Sequence, residues 1–459
     1  MSKKKLGKEK LKFSVTHPFA AGIDIGAKFH VVAVSPEHDT NPVRKFSSFT
    51  TDLHRLADWL KSIGIMEIAM ESTGVYWIPA FEVLESRGFN VILVNGREVK
   101  RVPGRKTDIN DAQWLQQLHK YGLLSASFRP RDHIASLRSY MRHRERLIEY
   151  AAAHIQHMQK ALMQMNLQLN HVVSDITGTT GMKIIRSIIA GERSASKLAS
   201  YRDIRCKASK QTISAALTGN YRSEHVFALK QSVALYDFYQ EQIKESDKQI
   251  EAILSELNFD KTAPENPLPK ARHRTKQKNE PNFAIRQAIY TFVGVDLTQI
   301  NGIGPYTALR LIAECGDDMA KWPTSKHFAS WLCLSPGNKI SGGKILASNT
   351  RRTNNRASTL LRIAAVNVGK TQTALGAFYR RLAARIGKAK AVTATARKLA
   401  VLFYNLMRYG DSFVDPGADY YEQQYRKRVF ENLSRRAKNL GFELTQIMED
   451  TATASAHVS

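Results

Sequence analysis

Four carboxylates stand out by type and position. The stretch GRKTDINDAQWL sets Asp108 and Asp111 three positions apart, directly behind Arg105 and Lys106, at the start of what reads as a helix. That spacing puts both acids on one helix face. One reading is local: Asp108 caps the helix and Asp111 sits in the first turn, where the helix dipole favours negative charge. The other is a pair of metal ligands, which needs partners elsewhere. In AGIDIGAKFHVV, Asp24 falls mid-strand in an apolar run, where a lone carboxylate is costly to bury unless it is hydrogen-bonded or ligates a cation. Glu71 ends the run IMEIAM just before STG, at a strand end beside Asp24 if the two runs are neighbours. Four converging acids would repel one another unless a cation or raised pKa values relieved them. The chemistry that needs such a cluster is phosphodiester cleavage by one or two divalent ions, and Mg²⁺ suits a hard oxygen set.

Two further motifs lie in the second half. INGIGPYTALRLIAE has the helix-hairpin-helix pattern, in which Gly302 and Gly304 permit a tight turn whose backbone N–H groups and following helix hold a phosphate without sequence preference. Beyond it, LSPGNKISGGKILASNTRRTNN offers Ser335, Ser341 and Ser348, any of which suits a loop. A serine nucleophile would need a base or metal to favour its alkoxide.

The elements around these residues follow from periodicity. Between 21 and about 125, short β-like runs (AGIDIG, FHVVAVS, VRKFSSF) precede a helical TDLHRLADWLKSIG, then MEIAMES, a second helical stretch and FNVILVN. Three extended runs, a helix, then strand, helix, strand is the order of an RNase H-like mixed sheet. A Rossmann sheet is the competing α/β reading, but GIDIG matches its glycine fingerprint poorly. From Ile134 to Leu169 apolar residues recur at intervals of three and four, broken only by Arg144, which predicts a long heptad helix. A weaker seam from Leu229 to Leu257 is interrupted by Gln240 and Asp247. The two seams could pair within one chain or between chains. FDKTAPENPLPKARHRTKQKNEPN reads as a charged, proline-punctuated linker.

At 459 residues, the chain is long enough for two or three folded units. Its 68 Lys and Arg against 41 Asp and Glu give a net charge of +27, which points to a polyanion, nucleic acid foremost. Residues 319–410 hold seventeen Lys and Arg and no acid, so this stretch is expected to lie against phosphates, with Lys344, Arg351 and Arg352 nearest the scissile strand. No run approaches the roughly 18 apolar residues of a membrane span, and MSKKKLGKEKLKF lacks the apolar core of a signal peptide, so a cytoplasmic, nucleoid-associated protein is expected. Cys206, Cys315 and Cys333 show no metal-ligand spacing.

The set GIDIG, MESTG, GRKTDINDA, NGIGPYTA and SGGK, in this order across roughly residues 20 to 410, closely resembles the DEDD transposases of the IS one-ten (IS110) family. The resemblance implies a RuvC-like domain whose acidic tetrad is Asp24, Glu71, Asp108 and Asp111, with Mg²⁺ as cofactor. The family's serine nucleophile, in a pattern like SSGGK, falls on Ser341, and here Ile340 stands before it, so a single serine precedes the glycines. Gly342 and Gly343 would let the DNA backbone approach that hydroxyl closely. Also implied are strand exchange between donor and target DNA through a phosphoserine intermediate, a structured non-coding guide (bridge) RNA, and a dimer of dimers in which one subunit's serine domain completes another's RuvC-like site. The resulting layout is a basic tail (1–20), a RuvC-like domain (21–130), a coiled-coil helical region (131–257), a linker (258–284), a serine-containing DNA-binding domain (285–410) and a tail (411–459). Two rivals differ in mechanism: a Holliday-junction nuclease using metal-activated water, in which Ser341 is idle, and a non-catalytic DNA-binding protein whose carboxylates are caps.

Overall fold

The computed structural model describes residues 14–72, 74–96, 108–259, 261, 264, 266–271, 277–410 and 413–445, with the backbone alone at Asp108. The chain forms two compact units, Met1–Arg129 and Pro130–Ser459.

In the first unit, strands β1 (Ala20–Ile25), β2 (Phe29–Ala33) and β3 (Val43–Ser47) follow one another through short connections, so they pair antiparallel as a meander. Helix α1 (Thr50–Ser62) then supplies the crossover that a parallel partner requires, and β4 (Glu67–Glu71) lies parallel to β1. Helix α2 (Trp77–Ser86) repeats the step to β5 (Asn90–Val94), giving the sheet order β3-β2-β1-β4-β5. The expected mixed sheet is therefore present, strand for strand.

Alternation along the strands sorts the two faces. Ile23, Ile25, Val32, Ile68 and Met70 turn to one face and pack with Leu53, Leu56 and Leu60 of α1 and Phe81 and Leu84 of α2. The opposite face takes helix α3 (Asp108–Lys120), whose Ala112 packs with Val31 and Ala33 and whose Leu115 packs with Val94. Close approach depends on Gly22: a Cβ there would lie 2.3 Å from the Ala112 carbonyl oxygen and 2.3 Å from the Gln116 nitrogen. Backbone atoms of a helix cannot yield as a side chain can, so Gly22→Ala is expected to push α3 off the sheet. A loss of about 2–3 kcal/mol in unfolding free energy, read from a denaturant midpoint, is the expected size; an unchanged midpoint would mean that α3 packs otherwise.

In the second unit, α4 (Asp132–Gln164) and α9 (Ser223–Asn258) lie antiparallel along each other within one chain. Met158 and Leu162 meet Leu229 and Val233 at one end, and Leu147 and Ala151 meet Ile243 further along. The two interruptions of the seams are partners: the Arg144 guanidinium, 1% exposed, pairs with Asp247 and donates to the Tyr306 hydroxyl at 3.0 Å. A buried charge is tolerated because it is paired and hydrogen-bonded. The heptad helix ends at Gln164, five residues short of the predicted Leu169, and the chain turns through Asn166 at φ 56°. Leu167 and Leu169 are buried instead among four short helices that sequence periodicity did not separate: α5 (Leu169–Val172), α6 (Thr179–Ile189), α7 (Ala195–Ser200) and α8 (Lys210–Ala216).

Helices α10 (Ile285–Val293), α11 (Pro305–Cys315) and α12 (Ser325–Trp331) precede a hairpin of β6 (Lys339–Ser341) and β7 (Lys344–Ala347). Helices α13 (Arg356–Val368), α14 (Ala374–Ile386), α15 (Lys388–Tyr409) and α16 (Gly417–Asn439) follow. Phe403 and Tyr404 of α15 are fully covered, stacking toward Phe328, and the Tyr404 hydroxyl donates to the Trp322 carbonyl at 2.7 Å. The proline-rich stretch, read as a flexible linker or insertion, makes several polar contacts in its described parts. Tyr290 donates to the Asn266 carbonyl at 2.7 Å, Arg286 to that of Pro269 at 2.7 Å, and Lys278 pairs with Asp175 at 2.8 Å. No helix among the described residues is long and apolar enough to cross a membrane.

Candidate active-site residues

The strand register fixes where two of the acids stand. Ile23 of β1 is paired with Met70 of β4, so Asp24 and Glu71 occupy the next step of two neighbouring parallel strands. Both alternate with the core-facing isoleucine and methionine and therefore belong to the face covered by α3. That helix runs antiparallel to β1: its last carbonyl, on Lys120, accepts the backbone N–H groups of Thr16 at 2.9 Å and His17 at 3.0 Å, ahead of β1, while Ala112 and Gln116 lie over Gly22. Its first turn, bearing Asp108 and Asp111, consequently points to the strand ends where Asp24 and Glu71 sit. Asp24 and Asp111 are half-buried and Glu71 is 7% exposed.

A glycine that the sequence did not single out shapes this end. A Cβ on Gly96, just past β5, would fall 2.0 Å from Glu71 Oε1. The bare backbone leaves the carboxylate its place, and the only sequence signal is the Asn95-Gly96 pair after an apolar strand. The adjacent Ser72 hydroxyl donates to the Val94 carbonyl at 3.1 Å, tying the β4 end to β5. The donor set is all oxygen, which fits a hard divalent cation. Among the described side chains no group of three or more His, Cys, Asp or Glu is close enough to hold a metal ion, and the Asp108 side chain is not among them. Arg105 and Lys106 lie outside the described residues.

The far end of α3 is held by a different device. His119 is 4% exposed and stacks on His17 with ring centroids 4.7 Å apart, and Glu67 stands 2.5 Å from His17 and 3.7 Å from His119. Burial first and His17 second push the His119 imidazole down to about 4, against the pull of Glu67. The 3.7 Å separation is too long for a hydrogen bond, so burial prevails. Because the folded value lies below that of a free imidazole, this contribution is fully present above about pH 6.5 and is lost as pH falls toward 4. Up to about 3 kcal/mol is at stake. Urea midpoints of the protein are expected to fall between pH 7 and pH 4.5, and His119→Gln should flatten that fall; an unchanged slope in the variant would assign the effect to other groups.

Ser341 stands not in an open loop but at the tip of the β6–β7 hairpin. Ser341 is paired with Lys344 across Gly342 and Gly343, whose φ values of 54° and 76° define a two-residue turn of the type that matches strand twist. This explains the SGGK order physically: two glycines supply the left-handed backbone, and the lysine is set directly across from the serine on the same face. Ser341, Gly342, Gly343 and Lys344 are exposed, and Ile340 and Ile345, paired on the other face, are 62% and 61% exposed. Arg351 and Arg352 follow the hairpin and are exposed; Arg351 donates to the Ser330 carbonyl at 2.9 Å.

Gly302, at φ 89°, turns against α13, where a Cβ would lie 2.4 Å from Val368 Cγ2. A Cβ on Gly304 would lie 2.1 Å from Gln277 Nε2. Ile300 and Ile303 are buried as the motif expects. Glu145 and Glu149 line the cavity of about 500 Å³ beside Gly302.

A family model for IS110 DEDD transposases, described as Transposase, matches residues 21–167, which span the sheet, α3 and α4. A second, described as Transposase IS116/IS110/IS902 family, matches residues 295–380, from the two-glycine turn through the hairpin into α14. No curated protein matches the chain. Two models of one family thus match, in order, the two regions that carry the acids and the serine, and the chain belongs to the IS110 family of insertion-sequence transposases.

Proposed function

We propose that this transposase cuts and rejoins donor and target DNA with Ser341 as nucleophile, and that Asp24, Glu71, Asp108 and Asp111 hold Mg²⁺, as one or two ions, in the same reaction. The placement of Asp24 and Glu71 on neighbouring strand ends, facing the first turn of α3, is the observation that carries the reading. It also supports a RuvC-like, RNase H-like assignment for the first unit, whose strand order is β3-β2-β1-β4-β5. A divalent ion held there would polarise the scissile phosphate and favour the serine alkoxide.

The chain's own residues do the rest. Ser341 Oγ bonds to phosphorus as the bond from phosphorus to the leaving sugar oxygen breaks; the hydroxyl proton is lost and the leaving oxygen gains one. Lys344, across the hairpin from Ser341, is placed to hold a non-bridging phosphate oxygen. Attack on that phosphorus by a sugar hydroxyl of another strand then breaks the bond to Ser341 Oγ, joins the strands and leaves the serine to regain its proton. Strand exchange on a DNA element end tests the reading, since it must fail when either Ser341 or the acid set is removed.

The basic excess fits DNA together with a guide RNA, and the proposal includes assembly as a dimer or tetramer. Within the helix-hairpin-helix reading of residues 300–315, Gly302 packs against Val368, and the cavity beside it carries Glu145 and Glu149 together with Lys278 and Arg310, Glu145 being paired with Arg310 and Arg356. The main phosphate contact is proposed for the acid-free surface. Arg351→Ala and Arg352→Ala are each expected to lower the slope of log binding constant against log salt by about one unit, alike for all sequences. An unchanged slope would put the DNA elsewhere.

A further inference from the structure

The hairpin that carries Ser341 is rooted beside a cavity of about 1110 Å³ that the chemistry above does not use. One wall is the hairpin root: Pro336 bridges Thr350 and the Gly337 N–H donates to the Asn349 carbonyl at 3.0 Å, so residues 348–350 are tied to the base of the hairpin that carries the serine. The opposite wall is one face of α15 between Lys390 and Leu402, about 18 Å of helix at 1.5 Å per residue. Ala394, Val401 and Leu402 give this wall an apolar floor, and two rings adjoin it, Phe413 and the Phe378 of α14, over which the Lys398 ammonium lies 4.8 Å from the centroid. Lys390, Arg397 and Lys398 supply three cations along the same helix face. The one carboxylate among the described lining residues, Asp415, is committed, because its Oδ1 accepts the N–H of Ala374 at the start of α14 at 3.1 Å.

An occupant must bring flat apolar groups for the floor and anions for the cations. Unpaired nucleotides bring both, and base stacking on apolar and aromatic side chains beside a cationic track is how single strands are held without sequence preference. A duplex hides its base faces and would leave the floor unfilled, and the same cationic wall of a second copy would meet like charge. We propose that the cavity holds a short single-stranded run of DNA next to the phosphodiester that Ser341 attacks. The placement beside that phosphodiester rests on the serine reading; the single-strand site does not.

The test uses the full-length chain and a fluorescent oligothymidylate, read by polarisation at fixed salt, with a duplex and an oligouridylate of the same length as competitors. Arg397→Ala, which removes a cation, and Ala394→Trp, which fills the cavity, are expected to weaken single-strand binding about tenfold or more. Duplex binding should change less than twofold, and Lys230→Ala, exposed on α9 and outside both the cavity and the acid-free stretch, should change neither. Arg397→Ala keeps the outcome decisive if Ala394→Trp does not fold. Unchanged single-strand affinity in Arg397→Ala, an equal loss of duplex binding, or tighter competition by the RNA would each overturn the proposal. Failure of the serine reading shows separately, as wild-type protein that binds the oligothymidylate but never forms an adduct on cleavable DNA.

Discussion

Asp24→Asn and Glu71→Gln are each expected to cut strand cleavage about a thousandfold or more while leaving the melting temperature within a few degrees of the wild type. The size follows from the several kcal/mol that a bound divalent ion contributes to a phosphoryl transition state, at roughly 1.4 kcal/mol per tenfold in rate. Both replacements keep side-chain shape, and Glu71, enclosed under Gly96, still fills its place as glutamine. Each replacement removes a charge without adding bulk, so the fold should be retained. Mg²⁺ should raise the melting temperature of the wild type and not of the variants, since a ligand that binds only the folded state stabilises by mass action. Asp108→Asn and Asp111→Asn sharpen the comparison, because asparagine caps a helix about as well as aspartate. A ligand role predicts lost cleavage with an intact helix; normal cleavage in these two variants would make the acids structural.

Ser341→Ala is expected to abolish cleavage by this route with no measurable cost in stability. The hairpin turn is set by the left-handed backbone of Gly342 and Gly343, not by the serine, and the side chain is exposed. Binding of DNA should persist, because Lys344, Arg351 and Arg352 remain. Cleavage at the wild-type rate in Ser341→Ala, with cleavage still lost in Asp24→Asn, would leave metal-activated water as the nucleophile and the first unit as a nuclease.

Strands β1, β2, β4 and β5 were legible as short apolar runs ended by turn residues, β3 (VRKFS) carrying only two apolar residues, and Asp24 was conspicuous as a charge inside one of the apolar runs. The orientation of α3 was not legible, since it depends on the long-range fit of Gly22 beneath Ala112 and Gln116. Gly96 was missed for the same reason: its role lies in a contact with Glu71, twenty-five residues earlier in the chain. In the helical pair, Arg144 and Asp247 read separately as flaws in two seams, and their pairing, together with the apolar contacts along both helices, shows that the seams face each other in one chain. The hairpin read as loop because strands of three and four residues carry too little alternation to register, and their isoleucines are exposed. Resemblance to a family brought Ser341 forward; composition alone could not have chosen it over Ser335 or Ser348.

The most direct measurement of the central claim is to incubate the full-length protein with an end-labelled DNA element end and Mg²⁺, quench in denaturant, and map any linked nucleotide by proteolysis and peptide mass. Attack by Ser341 predicts label that stays with the protein on a denaturing gel, located on the peptide containing Ser341, and absent from both Ser341→Ala and Asp24→Asn. Cleaved DNA with no linked protein, or a nucleotide found on any other residue, would contradict it.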